Sequence, residues 1–199
     1  MTSFAVNYDY RCPFARIAHL HVLDGLEAGA GWDVTFMPFS LGQVHVEEGG
    51  TDVWDAPDSD TGLLALEVSV VVRDQHPHAF RTVHRRLFDL RHVESKDLND
   101  RDEIAKILVD AGLDPEGIWT SIEGGTPLQA VRAEHEAAVA DAKAWGVPTF
   151  MVGGDGVFVR LMETANGDGD VAIHTVERVV DMLTGWPQLN EFKHTSIRR

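Results

Sequence analysis

The chain has 199 residues, 44% of them hydrophobic, and its 17 Lys and Arg face 32 Asp and Glu for a formal net charge of −15. That length suits one substantial core or one domain carrying an insertion, while the negative balance repels phosphate backbones and anionic membranes, so neither nucleic acid nor a membrane surface is an expected partner. A single cysteine rules out an internal disulfide, and no apolar run approaches the ~20 residues that span a bilayer.

Phe4-Ala5-Val6-Asn7-Tyr8 has the β-branched and aromatic content of a short strand, and the spacing from Pro13 to roughly Ala28 predicts a helix. Cys12 therefore falls at the helix N-cap, with Pro13 at the first helical position, where its missing N–H is no loss. Unpaired backbone N–H groups and the helix dipole point at such a sulfur, and Arg11 and Arg16 bring positive charge nearby. The expectation is a thiol pKa lowered from ~8.5 into the range of roughly 3.5 to 7.5. The competing reading is a small buried hydrophobe.

Trp32 to Met37 alternates as a half-buried strand stopped by Pro38, giving a βαβ unit. The stretch 39–60 lacks periodicity and reads as loop with a short helical turn. From Gly62 to about Ala144 helical patterns follow one another. Leu63, Leu66 and Val70 mark one face; Phe80, Val83, His84, Leu87 and Phe88 mark the next. Val70-Val71-Val72 suits either a strand or a helix, and its neighbours Leu63, Leu64, Leu66 and Glu67 favour helix. The basic run Arg81, Arg85, Arg86 and Arg91, with His84 and His92 among them, reads as a solvated helix face.

Asp100 with Glu103 forms an acidic capping box for a helix that stops at Gly112, and Asp114-Pro115 opens a short one. Thr126 as cap, Pro127 and Gln129 predict a long helix to about Trp145. Thr149 to Val152 and Val157 to Leu161 read as a hairpin joined by Gly153-Gly154-Asp155-Gly156. Asn166 to Asp170 reads as a polar surface loop, and Thr175 as the cap of a final helix ended by Gly185. The tail 188–199 is polar and expected to gain order only by docking. The closest histidine pairs, His76/His78 and His19/His21, lack the i, i+4 spacing of a zinc helix, so no metal site is expected.

Two segments carry a family resemblance. Asp9-Tyr10-Arg11-Cys12-Pro13-Phe14 after a strand resembles the active site of thioredoxin-fold proteins of the DsbA family, which includes FrnE-like oxidoreductases and kappa-class glutathione transferases with their 2-hydroxychromene-2-carboxylate isomerase relatives. Trp145-Gly146-Val147-Pro148-Thr149-Phe150 resembles the family's "GVPTF" segment, whose proline is cis and faces the cysteine. Ala15 stands where an oxidoreductase of this family carries its resolving cysteine.

The resemblance implies an α/β, thioredoxin-like fold with an all-helical insertion domain. The thioredoxin-like part would be residues 1–40 and 126–199, and the insertion 41–125. It implies Cys12 as nucleophile, with Val147, Pro148, Thr149, Pro13 and Phe14 as substrate platform and Arg11 and Arg16 as anion contacts. It implies a monothiol oxidoreductase with no tightly bound cofactor, using a low-molecular-weight thiol, glutathione or mycothiol, as co-substrate. The single cysteine and the lack of an export segment at the N-terminus make the cytoplasm the expected address, and a homodimer is compatible with the sequence. The alternatives are a small-thiol-dependent transferase or isomerase of the kappa kind and a non-catalytic binding protein.

Overall fold

A computed structural model describes residues 2–195. Residues 1 and 196–199, the outer ends of the ranges above and of the polar tail, lie outside the described residues. The elements are β1 (Thr2–Tyr8), α1 (Pro13–Glu27), β2 (Trp32–Pro38), α2 (Leu41–Val44), α3 (Leu63–Gln75), α4 (Pro77–His92), α5 (Arg101–Asp110), α6 (Pro115–Glu123), α7 (Thr126–Ala142), β3 (Thr149–Val152), β4 (Asp155–Phe158) and α8 (Gly169–Gly185).

The four strands form one sheet in the order β2-β1-β3-β4. β1 and β2 run parallel, joined by α1, and pair from Thr2 with Trp32 to Tyr8 with Pro38. β3 is antiparallel to both β1 and β4. Helices α1 and α8 pack on each other and against β1, β3 and β4, while α7 lies against β2 and β4. Residues alternate across a strand, so Phe4 and Val6 enter the core. Ser3 and Ala5, by contrast, line a groove of about 280 Å³ shared with Ala137 and Ala138 of α7.

The helices between β2 and β3 pack as a chain, α3 on α4, α6 and α7, and α4 on α1 and α5. One apolar core runs from Phe4 and Phe150 in the sheet to Ile104 and Leu108 in α5. Val70, Val71 and Val72 are helical and buried, because packing on both sides outweighs their weak helix preference.

Several boundaries differ from the expected ones. The hairpin turn is only Gly153-Gly154, since Val152 pairs with Asp155, and β4 ends at Phe158. Both glycines have positive φ, 59° and 90°, which a two-residue turn of this kind requires. Thr126 is the first residue of α7 and not its cap; Gly125 precedes it in the left-handed conformation without a side-chain cap bond. Thr175 lies inside α8, donating its hydroxyl to Val171 O, and Asp168 caps that helix from what reads in sequence as a loop. At α8 a stronger cap former, Asp168, won over Thr175.

Candidate active site

Cys12 caps α1 with extended backbone, φ −89° and ψ 118°. The Ala15 N–H donates to its Sγ at 3.4 Å, and the thiol donates to Val147 O at 3.4 Å. Val147, Pro148 and Thr149 are buried, and the Val147–Pro148 peptide bond is cis. Cys12 and the Val147–Pro148 segment, 135 positions apart in the chain, therefore meet. Pro13 is exposed and Phe14 half-buried beside them.

The thiol departs from expectation. Burial pushes its pKa up, the N–H groups of Ala15 and Phe14 pull it down by less, and the Asp9 carboxylate raises it further. The two arginines supply no offset, because each has a carboxylate partner. Arg11 forms a two-pronged pair with Asp9, 2.6 Å at its shortest, and reaches Asp60 at 3.0 Å. Arg16 pairs with Asp89 at 2.8 Å. Both guanidiniums are held by carboxylates, and the N-cap position alone does not outweigh burial.

The segment Tyr8 to Arg11 sends alternate side chains to two different clusters. Asp9 and Arg11 enter a charged one. Asp9 is fully buried and also accepts from the backbone N–H groups of Arg11 and Leu41, which ties the cysteine loop to α2. Asp60 accepts from Gly62 N and Leu63 N at the start of α3. A Cβ at Gly62 would stand 2.6 Å from Arg11 Nε, so a larger residue there would push the guanidinium off its carboxylates.

Tyr8 and Tyr10 enter an uncharged cluster. The Tyr8 hydroxyl bonds Ser69 Oγ at 2.8 Å. Tyr10 starts a chain whose direction is set by its far end. The carbonyl of Asn7 can only accept, so His19 donates to it from Nε2 at 3.1 Å and accepts at Nδ1 from His84 Nε2 at 2.9 Å. His84 Nδ1 then accepts from the Tyr10 hydroxyl at 2.6 Å. Burial lowers the pKa of both histidines, that of His19 to about 4, and His84 is lowered further by His19 and Arg85. Both are neutral at pH 7. His84, expected on a solvated face, is instead wholly buried among Phe36, Phe80 and Phe88. Of its basic neighbours, Arg85 pairs with Asp24 and Glu27, and Arg86 with Glu94.

Asn7 joins the two halves of the site. Its Nδ2 donates to Gly146 O at 3.2 Å and its Oδ1 accepts from Thr149 N at 2.6 Å, so the carboxamide clamps the backbone on both sides of Val147–Pro148. Its own carbonyl holds His19 of α1, the helix that begins at Cys12. Sequence reading passed over Asn7 as one more strand residue. A buried asparagine in an apolar strand was the available signal, since such a group needs partners.

The DSBA-like thioredoxin domain family matches residues 5–168. Among solved structures, the chain is similar to the cytosolic disulfide reductase DsbM of Pseudomonas aeruginosa, solved with GSH, at 18% identity and TM-score 0.62, covering 89% of this chain and 98% of that one. It is also similar to a probable DsbA oxidoreductase of Streptomyces coelicolor, at 16% identity and TM-score 0.61 over 98% and 94% of the two chains. A periplasmic thioredoxin-like protein of Salmonella enterica serovar Typhimurium has 16% identity and TM-score 0.58 over 90% and 82%. Comparison with curated proteins gave no match. No helix among the described residues is long and apolar enough to cross a membrane.

Proposed function

We propose, given that this chain belongs to the DSBA-like thioredoxin domain family, that it is a thiol-disulfide oxidoreductase working through Cys12 alone. The observation that carries this reading is the contact of Cys12 Sγ with Val147 O, which sets the helix-capping thiol against the Val147–Pro148 segment. Cys12 loses its proton and attacks one sulfur of a low-molecular-weight disulfide. The S–S bond breaks, a Cys12 mixed disulfide forms, and the departing thiolate takes up a proton. Ala15 offers no sulfur to resolve that intermediate, so a second small thiol, glutathione or mycothiol, attacks it and regenerates Cys12. The helices of 41–125 act as an insertion that roofs the site, held to the cysteine loop through Asp9 and Asp60. A cytosolic DsbM solved with GSH supports the small-thiol partner and the cytoplasmic address.

The raised pKa of Cys12 favours a second reading, in which the residue positions a bound small thiol for a transferase or isomerase reaction. Mass spectrometry after incubation with glutathione disulfide or mycothiol disulfide across pH 6–10 separates the two. Exchange gives one adduct on Cys12, absent in Cys12→Ser, whose rate of formation keeps rising beyond the ~8.5 of a free thiol. If iodoacetamide alkylates Cys12 while neither disulfide leaves an adduct, the exchange reading fails.

A further inference from the structure

The two arginines flanking Cys12 in sequence pair with carboxylates, yet a third cation, stacked on Phe14 two residues past Cys12, has none. The chain beyond β4 stays beside the Val147–Pro148 segment, because Val159 N donates to Pro148 O at 3.0 Å. The next residue, Arg160, lays its guanidinium over the Phe14 ring, 5.5 Å from the centroid, and Phe14 is two residues past Cys12. Arg160 is thus tied to both halves of the site, to the proline side through its backbone neighbour and to the cysteine helix through its side chain. It is exposed, and it has no ion pair among the described residues. Stacking on an aromatic ring orients a guanidinium without neutralising it.

We infer that Arg160 is a specificity residue that receives the carboxylate of an anionic disulfide arriving at Cys12. This rests on the exchange reading above. A chain of net charge −15, with the Asp9 carboxylate close enough to raise the thiol's pKa, repels an anionic reagent in general. Productive approach of such a reagent needs a local cation, and arginine's planar fork matches a carboxylate in two-pronged geometry. The favoured substrate class is a small disulfide with a carboxylate near its sulfur. The covalent step is the exchange already written, with the Cys12–S bond formed, the reagent's S–S bond broken and the leaving thiolate protonated.

The test compares adduct formation on Cys12 by glutathione disulfide, which is anionic, with that by bis(2-hydroxyethyl) disulfide, which is neutral. In Arg160→Ala the ratio of the two rates is expected to fall about three- to fivefold, the size of one exposed ion pair, with a further fall in Arg160→Glu. Lys106→Ala removes the same charge from the exposed face of α5 and is expected to leave the ratio as in the unaltered chain. An unchanged ratio in Arg160→Ala overturns the assignment, and so does an equal fall in Lys106→Ala, which would trace the effect to net charge. If the unaltered protein reacts with neither disulfide, the exchange reading fails and this inference falls with it. Reaction with both, at a ratio that ignores Arg160, sinks the inference alone.

Discussion

Two buried polar clusters flank the cysteine loop, and they solve the same problem in opposite ways. Asp9, Arg11 and Asp60 bury full charges and satisfy them with one another and with backbone N–H groups. Tyr10, His84 and His19 bury no charge and pass hydrogen bonds in a line to a backbone carbonyl. Burying an ion is tolerated only with its partner present, whereas a neutral chain is tolerated only while its members stay neutral. The first cluster is therefore vulnerable to losing a partner and the second to gaining a proton. Both lock Tyr8 to Arg11, and so the start of α1.

The largest expected effect breaks the charged cluster. Arg11→Met leaves Asp9 and Asp60 buried without their counter-ion and is expected to lower unfolding free energy by about 3–5 kcal/mol, read from the urea midpoint at unchanged slope. A loss below about 1 kcal/mol would mean that the carboxylates are neutral or hydrated, contrary to the geometry described.

Acid addresses the other cluster. The folded-state pKa of His19 lies near 4, below its unfolded value of ~6.5, so the unfolded chain binds more protons between these values. Stability is therefore complete above pH ~6.5 and lost as pH falls toward about 4, by roughly 3 kcal/mol for His19, with His84 adding in the same direction. Glu67, raised by burial to about 7, has the opposite slope, while His135, lowered by burial to about 4 outside this cluster, adds to the loss. Urea titrations at stepped pH check this, and flat stability from pH 6.5 to 4.5 would refute a neutral chain. His84→Leu sharpens the contrast: it strands the Tyr10 hydroxyl and His19 Nδ1, costing about 1–3 kcal/mol at pH 7, yet its slope on the acid side is shallower.

The smallest effect on stability concerns the residue that links both halves of the site. Asn7→Leu keeps the branched shape at a larger volume and removes the bonds to Gly146 O and Thr149 N, at a cost of about 1–2 kcal/mol. Its larger signature is at the thiol. With the backbone on either side of Val147–Pro148 no longer clamped, Cys12 loses part of its cover and is expected to be alkylated by iodoacetamide severalfold faster at pH 8 than in the unaltered protein. An equal alkylation rate would show that Asn7 supports the sheet without setting the Cys12 to Val147 spacing.

The order of elements and the place of Cys12 were legible before the chain folds. These rest on local physics: a strand pattern before the cysteine, a proline suited to the first helical turn after it, and hydrophobic periods that hold over many residues. The motif at Val147 was legible only through its family resemblance, and the structure brings it to Cys12. Tertiary structure alone decided what the thiol is like. Arg11 and Arg16 read as cationic neighbours of Cys12 until folding turns Asp9 onto Arg11 and delivers Asp60 from 49 positions away and Asp89 from 73, and burial then outweighs the helix terminus. His84 read both as part of the apolar stripe of α4 and as part of a basic run, and packing among Phe36, Phe80 and Phe88 decides for the stripe. Arg160 and Asn7 carried no motif at all. Charge, desolvation and hydrogen-bond partnership depend on distances between residues far apart in the chain, and only the folded chain fixes those.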